Sequence, residues 1–212
     1  MRNTDFFVVH TFCFKICYNH PRKLERGNFM RGQSHRCLGK YLAEHYMTDV
    51  PKLYIKAFQL GCIEPDRNPV TYLKGSLRCQ WLRGHNYRNA RRFMKKISWH
   101  LEKKDKLNIF DYYSLGKLIH YTADAFTYAH NSNFPTQLRD HMAYEVELQN
   151  HFLEYMAEDP QVDVMVARNI MSAICSYHRD YEQVESNIHN DAHFALAACC
   201  CVVALLFTKP IL

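Results

Sequence analysis

An all-α fold, built as one helical bundle, is what the sequence predicts, and three observations carry it. Only 7 Gly and 7 Pro occur in 212 residues, so few positions break helices or supply the tight turns that many short strands need. Hydrophobic residues make up 48% of the chain, enough for a substantial core in one domain of this length. From Ser34 onward apolar residues recur at intervals of three and four, the period of one helix face.

The elements follow in order. Residues 1–29 are an irregular aromatic stretch ending in Asn19-His20-Pro21-Arg22-Lys23, and they read as a loose extension or a mis-assigned start, with Met30 opening the domain that runs from 30 to 212. Ser34 is placed to cap a helix reaching about Met47, with Leu38, Leu42 and Tyr46 on one face. Pro51 suits the first turn of a second helix, to about Leu60. The run Gly61–Gly84, with Pro65, Pro69 and Gly75, reads as a loop with short turns. Tyr87–Lys104 is a basic amphipathic helix, and Asp111 or Ser114 starts the next, to about Ala129. Pro135 opens a long helix to Glu158, Pro160 another to about Glu185, and a last one stops before Pro210. No repeat, low-complexity segment or domain linker stands out.

The formal charge is +6, and eleven basic residues between Lys74 and Lys106 face only Glu102 and Asp105. Such a run is either a solvated helix face or a field that draws an anionic partner, a phospholipid surface or nucleic acid. The nine cysteines do not form a disulfide framework on their spacing: Cys199, Cys200 and Cys201 are consecutive and point about 100° apart on a helix. No CxxC pair is present, so a sulfur-ligated zinc ribbon is not expected. Reduced, buried thiols place the chain in a reducing compartment, the cytoplasm, with secretion as the alternative. Phe194–Phe207 is apolar but falls short of the roughly 20 residues that span a bilayer, and it reads as a buried C-terminal helix. Phe6–Tyr18 is broken by His10 and Lys15 and makes a weak secretory signal.

Chemistry concentrates in Leu115–His130. His120 and Asp124 are four apart, on one helix face about 6 Å apart along the axis, where an imidazole and a carboxylate can share a metal ion. His141 and Glu145 repeat the spacing on the next helix, and His130 sits near the turn between them. One such pair is a common surface feature. Two pairs on consecutive helices, the first among Ile119, Ala123 and Phe126, make a metal site in a bundle, because an unpaired buried carboxylate is costly. Nitrogen and oxygen donors without thiolate suit Zn²⁺ of the catalytic kind.

These residues resemble the bacterial zinc-dependent phospholipase C family, whose wider fold includes the P1-like single-strand nucleases. The family pattern of HxxxDxxxxxH followed by HxxxE stands here as His120-x3-Asp124-x5-His130 and His141-x3-Glu145. Gln33-Ser34-His35 resembles the family's early Ser-His, Asp66 its loop Asp, and His85, nineteen residues later, the following His. The likeness spans about residues 30–155. It implies a helical domain holding two or three zinc ions. Asp66, His85, His120 and Asp124 would hold one, with Asp124 bridging to a neighbour at His35; His130, His141 and Glu145 would hold the other. It also implies hydrolysis of a phosphodiester of a phospholipid or related substrate by metal-activated water, with Asp66 the catalytic residue that steers or deprotonates that water.

The sequence departs from the family in two places. Secreted members begin with a Trp that completes one zinc site, whereas no Trp precedes His35 here; the two tryptophans are Trp81 and Trp99. Where choline-binding members carry aromatics, this chain has Arg67 and Leu82, removing the cation–π partners of a quaternary ammonium. Peripheral contact with a membrane surface fits a phospholipid substrate; nucleic acid fits less well, since no aromatic stacking platform is visible. A zinc-binding protein without catalysis is the reading from another class. His45, His100, His151, His178, His189 and His193 have no matched partner and read as surface or core imidazoles.

Overall fold

The computed structural model describes residues 31–68, 85, 87–131 and 138–207, except for the side chains of Arg31 and of residues 138–142. Among them the fold is all-helical: α1 (Arg31–Tyr46), α2 (Lys52–Arg67), α3 (Tyr87–Glu102), α4 (Ile109–Ala125), α5 (Leu138–Ala157), α6 (Ile170–Tyr181) and α7 (Ile188–Phe207). A short 3-10 turn, Tyr128–His130, follows α4. The expected extension, residues 1–29, and most of the expected loop after Pro69 lie outside the described residues.

Helices α2 and α4 make the closest pairing in the bundle. At their crossing a Cβ on Gly61 would run into the backbone of Tyr113, and one on Gly116 into the backbone of Phe58. Glycine at both positions lets the two backbones touch, which corrects the reading of Gly61 as the start of a loop. Packing carries α2 through both Gly61 and Pro65 to Arg67, where Asn68 closes it by donating its backbone N–H to Glu64 O and its amide to Glu64 Oε1. The local breaker signals were real, but contact with α4 outweighs them.

Helix α4 starts at Ile109, because Asn108 accepts from the N–H groups of Phe110 and Asp111, and Asp111 accepts in return from Asn108 N. His100 and Lys104 from the end of α3 also bond Asp111, tying the two helices at this corner. On α3 the basic residues Arg91, Arg92, Lys95 and Lys96 are exposed, opposite buried Ala90, Met94, Ile97 and Leu101.

The expected helix from Pro160 to Glu185 is shorter: α6 covers Ile170–Tyr181, capped by Asn169. Asp159 turns into the left-handed region at φ 50°, and the chain then runs without regular structure to residue 169. Long-range bonds hold that stretch. Tyr41 donates to Pro160 O, Tyr177 donates to Asp163 O and accepts from Met165 N, and Glu102 accepts from Ile170 N.

Helix α7 is 20 residues with mean hydropathy 1.8, long and apolar enough by composition to cross a membrane. It instead fills the middle of the bundle, in contact with α1, α4, α5 and α6. That surrounding explains why Cys199, Cys200 and Cys201 are all buried although they point in different directions. No disulfide forms among the described cysteines.

Candidate metal centre

The glycine contact between α2 and α4 sets the register of the site. One turn beyond Gly116 stands His120, and five residues beyond Gly61 stands Asp66. His120 Nδ1 lies 2.8 Å from the Cys62 carbonyl oxygen. A carbonyl only accepts, so Nδ1 carries the proton and Nε2 turns its lone pair inward.

Around that lone pair four elements meet. His85 Nδ1 lies 3.2 Å from His120 Nε2, and Asp124 Oδ2 lies 3.0 Å from the former and 3.2 Å from the latter. Asp66 Oδ1 is 3.7 Å from His85 Nδ1 and 3.6 Å from His120 Nε2. From α1, His35 stacks on the His120 ring at 3.9 Å and sets its Nε2 3.2 Å from the other oxygen of Asp124. Asp124 thus faces two groups of donors, one through each oxygen. Asp66 sits in the last turn of α2, not in a loop, which corrects the sequence reading.

The second pair adjoins the first. His130 Nε2 is 3.1 Å from Glu145 Oε1, and its ring centroid is 6.3 Å from that of His85. The backbone of His141 lies on α5 one turn before Glu145, and its side chain falls outside the described residues. Seven of the eight candidate side chains are described, and all seven converge on one region.

Burial makes the electrostatics strong. His120 is fully buried, His85 is 3% exposed and Asp124 5%. Burial would raise the pKa of Asp124, yet the nearby charges of His120 and His130, with bonds from His120 and His35, hold it well below the usual carboxylate range. Burial pushes His35 down, but the bond and charge of Asp124 and the charge of Asp66 outweigh it and leave its pKa raised. His130 is likewise raised, burial being overcome by Asp124 and Glu145. His120 goes the other way, lowered by burial and by His35. Without a cation, the carboxylates favour protons on His35 and His130.

The donor set fits zinc. Four donors about 2.0–2.2 Å from a tetrahedral ion lie about 3.4 Å from one another; His85 and His120 lie 3.0 to 3.7 Å from each other and from the nearest oxygens of Asp66 and Asp124. Two triads, His35–His120–Asp124 and Asp66–His85–His120, each bring three donor atoms within 4.8 Å of one another. Asp66 Oδ2 is buried with no hydrogen-bond partner, an orphan that a cation or a substrate proton would satisfy.

A family model described as zinc-dependent phospholipase C matches residues 34–198. The chain belongs to the zinc-dependent phospholipase C family. The match takes in every candidate ligand, and it also reaches through α6 and most of α7, where the sequence offered only helical character. The fold is the all-α fold of that family, and the hydrolase class and the metal follow from it at that level. Neither the curated proteins nor the solved structures gave a match.

Tyr121 and Tyr144, next to candidate ligands in the sequence, support the site, and Cys62, Asp191 and Asn131 join them without any sequence signal of that role. The Cys62 carbonyl orients His120, and the edges of the His85 and His120 rings pack on Tyr121. Asp191, 1% exposed on α7, accepts from Tyr128 N at 2.7 Å, Tyr144 OH at 2.8 Å and Tyr181 OH at 2.6 Å. Its first two donors belong to the turn that carries His130 and to the residue before Glu145. Asn131 shapes the same turn by donating to Ala125 O and Thr127 O, and its Oδ1 lies 3.2 Å from Nε2 of His178, which stacks on Tyr87. In the sequence Asp191 reads as an ordinary first-turn carboxylate of α7, set among His189, Asn190 and His193.

Proposed function

We propose that this protein hydrolyses the phosphodiester of a phospholipid, releasing diacylglycerol and a phosphorylated headgroup, at two or three zinc ions. What supports this most is the convergence of His35, Asp66, His85, His120 and Asp124, with donor atoms spaced as zinc ligands, in a chain of the phospholipase C family. Asp66, His85, His120 and Asp124 would hold one ion and His35 with Asp124 its neighbour; His130, Glu145 and His141 would hold the other. Zinc there supplies positive charge for the phosphoryl oxygens and lowers the pKa of water toward about 7.

The chain's own groups do the rest. Asp66, whose Oδ2 is buried without a hydrogen-bond partner, takes the proton of the attacking water. Water's oxygen bonds to phosphorus, the bond from phosphorus to the diacylglycerol oxygen breaks, and that oxygen gains a proton. Cys62 O keeps the proton of His120 on Nδ1, so Nε2 would serve as the ligand atom. Arg67, exposed beside Asp66, replaces the aromatic of choline-binding relatives, so a quaternary ammonium finds no cage at this position.

The test pairs zinc analysis of the purified chain with assays on phosphatidylcholine, phosphatidylethanolamine and phosphatidylglycerol vesicles, single-stranded DNA and an aryl phosphodiester. Lipid turnover that is lost on chelation and in Asp124→Asn is the expected result. Turnover of DNA alone would establish a nuclease instead, and bound zinc with no turnover on any substrate would mean a zinc protein without catalysis.

A further inference from the structure

Away from this centre, three more imidazoles gather around Tyr155 where α5 packs on the first turns of α7. His189 and His193 are one helical turn apart on α7 and both exposed, so their rings share a face. His151 on α5 stands opposite, its ring centroid 5.7 Å from that of His189 with the planes crossed at 66°. Tyr155, one turn beyond His151, fills the middle: its ring lies 6.4 Å from His151 and 5.9 Å from His189, and its hydroxyl is 3.3 Å from His193 Nδ1.

We propose that His151, His189 and His193 form a second divalent-cation site, of the all-imidazole kind that takes zinc or copper, separate from the His/Asp cluster. Three features point to it. His151 Nε2 is buried and has no hydrogen-bond partner, so a ring nitrogen is left for a ligand. When His193 Nδ1–H donates to the Tyr155 hydroxyl oxygen, Nε2 is left as the donor, the arrangement of metal-bound histidines. His193 is also biased toward the neutral form, the one that binds metal. Burial and neighbouring His189 lower the pKa of His193 against the pull of Asp163, and the positive end of α7 acts in the same direction. The three donor atoms are not gathered without an ion, and closure turns the exposed His189 and His193 side chains about their own bonds toward half-buried His151.

Neutral nitrogen donors without a carboxylate select borderline ions such as Zn²⁺ and Cu²⁺ over Mg²⁺ or Ca²⁺. An exposed site of this kind exchanges its ion readily and takes up metal without reorganising the core.

The experiment uses the full chain already loaded at its high-affinity zinc sites. Equilibrium dialysis against rising zinc is run on the wild type, on His189→Gln/His193→Gln and on His151→Gln. Copper titrations of the same proteins are read by the nitrogen hyperfine pattern in electron paramagnetic resonance. The wild type is expected to take up one further equivalent, with copper coupled to three nitrogens. The double substitution should abolish that equivalent and His151→Gln should weaken it at least tenfold. Asp124→Asn should leave it intact, so failure of the phospholipase reading and failure of this one are told apart. Equal uptake by wild type and both variants, or no uptake beyond the loaded sites, overturns the proposal. Because His189 and His193 are exposed, their replacement leaves the fold in place, and an unchanged melting temperature verifies this.

Discussion

Two groups of imidazoles in one bundle differ in what surrounds them. The cluster around His120 is buried, contains the carboxylates Asp66 and Asp124, and draws on α1, α2, α4 and the turn at His85. The group of His151, His189 and His193 is half exposed, contains no carboxylate among its three rings and draws on two helices only. Burying carboxylates with imidazoles is expensive unless charge is supplied, so the first cluster needs protons or a cation simply to be folded. The second carries no such demand and stays solvated with or without an ion. Metal affinity and fold stability are therefore coupled in the first and independent in the second.

Substitutions in the two groups should separate these properties. The largest effect is expected for Asp124→Asn, which removes the negative charge and replaces one of the two oxygens that face the donor groups with an amide NH2. Cluster zinc should be lost on dialysis and turnover should fall about a thousandfold, several kcal/mol of lost charge stabilisation. Retained turnover at full zinc would place the ligands elsewhere.

Next comes Gly116→Ala. Its methyl group meets the α2 backbone, so α2 and α4 must separate, costing about 1–3 kcal/mol or more. A melting temperature lower by roughly 2–4 °C for each kcal/mol follows for a chain of this size. Zinc uptake at the cluster should weaken too, since Asp66 and His120 move apart, while uptake at His189 and His193 should not change.

A matched pair of hydroxyl deletions sharpens the contrast further. Tyr144→Phe and Tyr181→Phe each remove one donor to Asp191, but only Tyr144 adjoins a candidate ligand, Glu145. Both should lose about 1 kcal/mol of stability. Only Tyr144→Phe should also weaken one zinc equivalent, by about 10–100-fold. Equal zinc affinities in the two variants would show Asp191 to be a structural staple alone.

The gentlest probe is pH. In metal-free protein the raised His35 and His130 stabilise the fold fully below pH 6.5, their ordinary value, and that contribution is lost as pH rises through their raised pKa values. The depressed Asp124 contributes above 3.8 and is lost as pH falls through its lowered value. Melting temperature in chelator should therefore peak between these limits. Added zinc competes with the protons on His35 and His130, so the stabilisation it gives should grow as pH rises above 6.5. His193, whose pKa is lowered, should release its proton at lower pH, so zinc uptake there should persist under more acidic conditions than at the cluster.

Much of the cluster was legible because its spacing is local. His120 and Asp124 are four apart on one helix, as are His141 and Glu145, and helical geometry alone puts each pair on one face. His35, Asp66 and His85 were found through family resemblance, since nothing local binds them to α4. The helix boundaries failed where tertiary contacts overrode local signals. Gly61 and Pro65 read as breakers, yet α2 continues through them against α4. Pro160 read as a helix start, yet Tyr41 and Tyr177 bond the backbone of that stretch, which is not helical before Ile170.

By itself the sequence determined the helical class, the ligand types and the pairs that share a helix face, because each depends on composition or on residues a few positions apart. Only the tertiary structure decided that Cys62 fixes the tautomer of His120, that Asp191 joins the His130 turn to the residue before Glu145, and that His151 meets His189 across two helices. Those contacts join residues 38 to 63 positions apart, and they exist only once packing has paid the entropy of bringing distant segments together.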